Sequence, residues 1–354
     1  MNSTYFYHDK PLFGLDIGSS SLKVMQVQSE HKKQTVCGYG ITNFDNSSIV
    51  DGVITEPEKI AKSLYDLFNN RIIGKITTRR VAMAIPAAKT FARTVTLPAM
   101  EEKDIPDAVR LEAEQYIPLP VDSLYLDYVI IAKNEKEIEL LAVAVPKVIV
   151  DSYMELAAVL GLEVVALETT ISAATRLFVQ AEKSDIPTIL IDYGSISSDI
   201  TVFDKTLIVT GTVPGGGDSF TEQIAKTLGV TKEEAHIIKT KYGLGISKKQ
   251  KEIVDGLKSL LEQHQKELRR IVRYFEERNT NQKKIGQIVT MGGGANMPGL
   301  AEYMTDKLRL PVRTIDPWTH LDFKGLDPPH VAEKSMHVTV AGLALLKPSE
   351  AFVS

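Results

Sequence analysis

Apolar positions along the chain come in short alternating runs separated by small residues, and a few longer runs repeat at helical spacing. Phe13, Leu15 and Ile17 alternate before a Gly-Ser-Ser-Ser break, and Leu22, Val24 and Gln26 follow it, so residues 13–27 predict two strands around a tight turn. A third strand follows near VCGYGITNF, and EPEKIAKSLYDLFNNR predicts a helix with Ile60, Leu64 and Leu67 on one face. VAMAIP and ARTVTLP read as two short strands closed by proline. IPDAVRLEAEQYI reads as a helix that Asp104 can cap, with Ile105, Val109, Glu112 or Ala113, and Tyr116 or Ile117 on one face. LYLDYVII and EIELLAVAVP form a hairpin about NEKE, and VIVDSYMELAAVLGL is a helix ended by Gly161. Residues 79–165 therefore predict a self-contained strand-helix-strand-strand-helix unit.

The opening pattern then returns. TILIDYGSISSDITVF repeats the apolar strand, aspartate, Gly-Ser turn and alternating strand of FGLDIGSSSLKVMQV, about 176 positions later. That interval is far too long for a solenoid and implies two similar domains. Beyond it, LIVTGTVPGGGDSFTEQIAKTLG predicts a strand, a triple glycine and a helix that Asp218 or Ser219 can cap. A charged helix spans about 248–280, and IGQIVTMGGGANMPGLAEYMTDKL supplies another strand, triple glycine and helix. HVTVAGLALL is a small-residue helix suited to a close crossing.

Composition narrows the classes. At 354 residues the chain exceeds one compact core, and 44% hydrophobic with 24% charged residues describes a globular protein. A net charge of −4 argues against a protein built to grip nucleic acid. Residues 258–284 hold eight Lys or Arg against four Glu with only the adjacent Tyr274 and Phe275 as stacking aromatics, so a solvated helix face is the simpler reading. Cys37 is the only cysteine, which precludes an internal disulfide or a cysteine zinc site. Neither a signal-peptide plan at the start nor a basic amphipathic helix after residue 346 is read, and no apolar run approaches the roughly 20 residues of a membrane span. The expected setting is cytoplasmic, with membrane attachment only through a partner.

Turn formation alone asks for Gly18 and one serine. Asp16, three hydroxyls and Lys23 exceed that need. A loop of small residues offers backbone N–H groups and hydroxyls to a phosphate, while a carboxylate can hold hydrated magnesium. The bland alternatives are a turn-capping aspartate and a surface lysine. The P-loop pattern and GxGxxG are both absent.

Two aspartate-turn hairpins followed by a glycine-rich loop, in this order, resemble the actin-like ATPase fold of sugar kinases, heat-shock chaperones and actin. Residues 97–128, LPAMEEKDIPDAVRLEAEQYIPLPVDSLYLDY, resemble the PilM family of type IV pilus assembly proteins. With DIGSSSLKV, LIDYGSISSDI and VTMGGGANMPGL, the resemblance covers nearly the whole chain. It implies an α/β fold of duplicated ribonuclease H-like domains with an inserted 1C subdomain like that of FtsA. The implied divisions are 1A over 1–78, 1C over 79–165, a 1A return over 166–187, 2A over 188–216, 2B over 217–284, a 2A return over 285–335, and a C-terminal helix and tail over 336–354.

The resemblance also implies ATP or ADP with Mg2+ between the lobes. Asp16 and Asp192 would stand on the magnesium side. Gly18, Ser19, Ser20, Ser21 and Lys23 would wrap phosphate from one lobe, and Gly194, Ser195 and Ser197 from the other. Gly215, Gly216 and Gly217 would touch ribose and phosphate, and Gly292, Gly293, Gly294 and Asn296 would line the base. Glu168 falls where such ATPases position water, with a helix-start carboxylate as the alternative; Glu267 and Arg270 match a polar pair against adenosine, although Ile271 stands where a small hydroxyl is expected. Turnover resting on Glu168 alone would make the chain at most a weak ATPase. The family implies an adapter for the cytoplasmic tail of a PilN-like membrane protein, docked between 1A and 1C, with motor ATPases and platform protein nearby. Candidate groove pieces are Ile85–Pro86, Leu97–Met100 and Tyr116–Pro118, each also readable as ordinary core. An FtsA-like filament protein, a small-molecule kinase and a chaperone are the competing classes. Self-association stays open.

Overall fold

A computed structural model describes residues 10–30, 33–182, 185–278 and 282–347. The readings of the first residues as lacking a signal peptide and of the tail from 348 lie outside that range. In chain order the strands and helices of the first half are β1 (Phe13–Ile17), β2 (Ser21–Glu30), β3 (Lys33–Asn43), β4 (Ile49–Val50), β5 (Val53–Ile54), α1 (Pro57–Asn70), β6 (Ile73–Gly74), β7 (Arg80–Ile85), β8 (Phe91–Pro98), α2 (Ile105–Tyr116), β9 (Leu124–Lys133), β10 (Glu137–Pro146), α3 (Lys147–Val159), β11 (Glu163–Thr169) and α4 (Thr170–Ala181). The second half follows with β12 (Thr188–Tyr193), β13 (Ser197–Asp204), β14 (Thr206–Pro214), α5 (Gly217–Leu228), α6 (Lys232–Lys241), α7 (Gln250–Arg278), β15 (Gln287–Met291), α8 (Leu300–Leu308), β16 (Val312–Thr314), β17 (Leu321–Asp322) and α9 (Val338–Ala344).

The first lobe is built on a sheet of order β11-β7-β1-β2-β3-β17, and the second on β14-β13-β12-β15-β16. Each places an antiparallel hairpin beside a parallel strand: β1 pairs with β2 and β7, and β12 with β13 and β15. The duplicated hairpin thus reflects a duplicated sheet.

Alternation explains the layers. One face of the first sheet packs Leu15, Ile17 and Val24 against Ile60, Leu64 and Leu67 of α1 and Tyr153 and Leu156 of α3. One face of the second packs Ile191 and Ile200 against Phe220 of α5 and Leu257, Leu261 and Leu268 of α7. The remaining faces share a core, in which Met25 and Val27 of the first sheet and Leu190 and Val289 of the second enclose Phe178 of α4 and Val340 and Ala341 of α9. Sandwiching α4 and α9 between the sheets makes the two hairpin turns face one another. The small residues of α9 are what permit this: a methyl on Gly342 would overlap the Ala173 carbonyl oxygen, so α9 crosses α4 nearly backbone to backbone.

The 79–165 unit is smaller than its sequence suggests. Only β8, β10 and β9 form the separate three-stranded sheet, with Ile105 and Val109 of α2 packed on Val95, Leu97, Ile138 and Leu140. β7 runs parallel to β1 inside the first sheet, where all six of its residues are buried, and α3 joins the first-lobe core. Two expected caps also differ. Asp104 makes no capping bond, and α5 starts at Gly217 with Gly216 as its cap, leaving Asp218 in the first turn.

Candidate functional site

The two hairpins carry the same ladder. Ile17 pairs with Leu22 and Asp16 with Lys23; Tyr193 pairs with Ser198 and Asp192 with Asp199. Directly opposed residues of an antiparallel pair put their side chains on the same face. In the first hairpin this brings Lys23 Nζ to 3.0 Å from Asp16 Oδ2, with both side chains at least nine-tenths buried. The second puts an aspartate in the place of the lysine. Burial first, then Asp199 and Asp16, push the Asp192 carboxyl up to about 7, while Lys23 opposes the rise. Burial raises Asp199 as well, against a 2.7 Å bond donated by Thr212 Oγ1. Asp16 and Lys23 of one lobe therefore act electrostatically on Asp192 of the other.

The turns close by backbone bonds. Gly18 N–H donates to Ser21 O at 2.9 Å, leaving Ser19 and Ser20 half-buried at the tip, and Ser21 opens β2. Gly194, Ser195 and half-buried Ser197 shape the second turn. Against it lies the Gly215–Gly217 strip: Gly215 N–H donates to Ile196 O at 3.0 Å, Gly217 N–H to Gly194 O at 2.8 Å, and Asp218 N–H to Ser195 O at 2.8 Å. These donors are engaged within the protein, so the strip gives a ligand close backbone approach, and a methyl on Gly216 would overlap the Gly194 carbonyl. Gly292, at φ +81°, backs Asp192 so tightly that a methyl there would overlap Asp192 Oδ1. Gly294 lies against Tyr193, and Gly293 is the exposed member of the three, beside the Met336 side chain. Asn296 Nδ2 is buried and has no hydrogen-bond partner.

Asp16, Gly18, Lys23, Asp192, Gly194, Ser195, Gly215–Gly217 and Gly292–Gly294 thus converge. Glu168, Glu267 and Arg270 do not join them. Both carboxylate oxygens of Glu168 are held by Arg176, at 2.6 and 2.8 Å, and Arg176 also donates to Gly342 O at 3.0 Å. Glu168 sits on β11, two strands or about 10 Å from β1. Glu267 is paired with Arg270 at 2.9 Å and lies beside Gly211 in the middle of β14, four residues before the glycine strip. Among the groove pieces, Ile85, Leu97 and Ile117 are core, Tyr116 lies under the Arg93 guanidinium at 5.0 Å, and Pro118 is exposed.

Three site residues escape a reading of the sequence. Asp199 is legible only from the ladder. Lys239 Nζ donates to Gly217 O at 2.7 Å, and burial pulls its pKa down although Asp218 opposes the shift. Its one signal is spacing, for Ala235 and Lys239 are the buried positions of α6. His264 lies beneath the second turn with Nε2 3.0 Å from Ser198 Oγ, and burial lowers its pKa.

A pair of carboxylates facing two small-residue turns suits a hydrated divalent ion bridged to phosphates, since magnesium keeps several waters and takes one or two protein carboxylates. Among the described residues no cluster of three or more His, Cys, Asp or Glu could hold a metal unaided. The glycine strips and the orphaned Asn296 amide fit a flat polar ligand approaching backbone.

Two ribonuclease H-like sheets with facing aspartate hairpins define an actin-like ATPase fold. The match to the family described as type IV pilus assembly protein PilM spans residues 14–347, and the chain belongs to that family. It superposes on a structure titled PilM-PilN type IV pilus biogenesis complex with a TM-score of 0.83 at 24% identity, covering 95% of this chain and 98% of the other. Spiroplasma citri MreB 5 bound to AMPPNP aligns with a TM-score of 0.53 at 15% identity over 94% of each chain. The cell division protein FtsA of Bacillus subtilis (strain 168) is 23% identical, over 86% of this chain and 78% of FtsA. No helix among the described residues is long and apolar enough to cross a membrane.

Proposed function

We propose that this chain is a nucleotide-binding adapter of type IV pilus assembly, working at the cytoplasmic face of the inner membrane. In this reading it docks the cytoplasmic tail of a PilN-like membrane protein and links that tail to the motor ATPases and platform protein. Family membership and the likeness to a PilM chain captured with PilN support the partner. The observation that carries the nucleotide is the meeting of four glycine segments at Asp16 and Asp192, one from the first lobe and three from the second.

Asp16 and Asp192 would hold Mg2+ through water, with Gly18–Ser21 and Gly194–Ser197 around the phosphates. Gly292–Gly294, Asn296 and Lys239 would face the nucleoside of ATP or ADP. The bound ion supplies charge neutralisation between phosphates and carboxylates. This chain's own residues fix the angle between lobes, because the phosphate turns belong to different sheets and a ligand touching both biases their separation. Glu168, with both oxygens held by Arg176, is poorly placed to polarise water. That favours a switch over an efficient ATPase.

The test is calorimetric titration of the full chain with Mg-ATP and Mg-ADP, then with a synthetic peptide of the PilN-like tail in each nucleotide state. Saturable nucleotide binding and a peptide affinity that differs between states are expected. Peptide binding with no nucleotide binding would leave an adapter without a switch. Failure of both would overturn the proposal.

A further inference from the structure

The duplicated hairpins differ beneath their turns. Ile17 pairs with Leu22 in the first ladder, and Tyr193 with Ser198 at the same place in the second. Leu22 and Ser198 are both fully buried. Where the first lobe packs a leucine, the second therefore buries a hydroxyl, and α7 supplies its partner. His264, 1% exposed, brings Nε2 to 3.0 Å from Ser198 Oγ. Its ring lies against Tyr193 at 5.7 Å and Phe220 at 5.9 Å, in a core shared with Ile200, Leu257 and Leu261. A bonded polar pair in such a core adds little stability over an apolar pair of the same shape, so the fold alone does not ask for it.

The bonds around the pair leave one proton for two acceptors. Leu260 O lies 2.8 Å from His264 Nδ1 and can only accept, so Nδ1 carries the ring proton. Burial lowers the ring's pKa against the pull of the Leu260 and Gly215 carbonyls, so at pH 7 the ring is neutral and Nε2 accepts. Gly215 O is the second acceptor, 3.2 Å from Ser198 Oγ. Among the described residues, the Ser198 hydroxyl is the one donor bonded to either. Its proton is thus shared between α7 and the first glycine of the strip. Ser198 directly follows Ser197 of the second turn, and Gly215 N–H is bonded to Ile196 O of that turn at 3.0 Å.

We propose that His264 is a positioning residue of the nucleotide site. It holds the Ser198 hydroxyl so that the Gly194–Ser197 turn and the Gly215–Gly217 strip keep one spacing and move with α7. The ligand in this inference rests on the nucleotide reading above; the relay from His264 through Ser198 to Gly215 does not.

Amide hydrogen exchange of the nucleotide-free chain and calorimetric titration with Mg-ADP test the two separately. His264→Phe keeps a ring and loses the acceptor, whereas His264→Gln loses the ring and keeps an acceptor. In His264→Phe the amides of Gly215, Gly217 and Asp218 should exchange faster relative to those of Ile191 and Ile200. Its Mg-ADP affinity should fall at least about fivefold, and His264→Gln should recover most of both. Ser198→Ala/His264→Phe removes both polar groups, so its urea midpoint should stay near that of wild type while its affinity stays low. Exchange that rises equally throughout, a Phe variant that outperforms Gln, or a double variant with wild-type affinity would each overturn the proposal. Exchange that shifts as expected in a chain that binds no Mg-ADP would support the relay and overturn the nucleotide reading alone.

Discussion

Asp199 stands directly across the β12–β13 ladder from Asp192, in the position that Lys23 holds opposite Asp16. The duplicated hairpin has one neutralised aspartate and one that faces a like charge. A carboxyl raised on folding from 3.8 to about 7 binds its proton more tightly in the native chain, so stability falls as pH rises through that window. Asp192→Asn removes the penalty. Relative to wild type, its urea midpoint should rise between about pH 4 and 7 and then level off. If the nucleotide reading holds, wild-type affinity for Mg-nucleotide rises as pH passes about 7, where Asp192 gives up its proton, and Asp192→Asn loses at least about tenfold in affinity. A midpoint difference independent of pH would refute the assignment of the raised carboxyl.

His337 has the opposite slope. It is buried with Nε2 unpartnered beside Tyr39 and Trp318, and burial pulls its pKa down from 6.5 to about 4. The unfolded chain binds that proton more readily, so the contribution to stability is whole above about 6.5 and is lost as pH falls toward 4. Relative to wild type, the urea midpoint of His337→Leu should rise as pH falls from about 6.5 toward 4. Because the two windows overlap with opposite signs, the wild-type profile should be flatter than that of either variant.

The Lys23–Asp16 pair makes a sharper demand on stability. Removing one member of a buried pair strands the other charge, at a cost of about 3–5 kcal/mol. Asp16→Ala should therefore lower the denaturation midpoint far more than Asp16→Ala/Lys23→Met, which removes both charges. Equal losses in the two variants would show that the pair is not the source.

How much of this was legible follows from what periodicity reports. Alternation gave the two hairpins and their repetition, and the small residues of α9 announced its close crossing of α4. It did not say which sheet a strand joins. VAMAI reads as a buried strand equally well in a small inserted sheet or beside β1, and only the observed parallel pairing decides for β1. Asp199 needed the register. Lys239, in a helix full of charges, looks solvated until its amine is seen on the Gly217 carbonyl. Glu168 was visible as an acid before a helix, but the side chain that occupies it, Arg176, is on the next element and at no motif spacing.

That pairing makes its own prediction. Arg176 grips Glu168 through two parallel bonds with both side chains largely buried, so Glu168→Gln should destabilise the fold by about 1–3 kcal/mol. Arg176→Lys should not spare the protein, since a single ammonium cannot reproduce the fork. Chemical denaturation reads both, and nucleotide titration of Glu168→Gln should show affinity within about twofold of wild type. A tenfold loss of nucleotide affinity with unchanged stability would return Glu168 to the ligand site.

Gly342→Ala tests whether the sandwiched helices hold the lobes in register. The added methyl overlaps the Ala173 carbonyl oxygen, which is backbone and cannot rotate away, so α9 and α4 must separate. Overpacking of this kind costs about 1–3 kcal/mol. The disturbance is directed, because the segment leading into α9 is tied to the second lobe: Gly292 N–H donates to Ser335 O at 3.0 Å, and Ser335 Oγ donates back to Gly292 O at 2.7 Å. Moving α9 therefore pulls on the turn that backs Asp192. Gly229→Ala is the control, a left-handed glycine at the end of α5 with nothing within 4 Å of an added methyl. Its penalty should be about 1 kcal/mol of backbone strain, with Mg-nucleotide affinity unchanged. Gly342→Ala should lose both stability and affinity, and an affinity loss no larger than that of Gly229→Ala would mean that α9 carries packing alone.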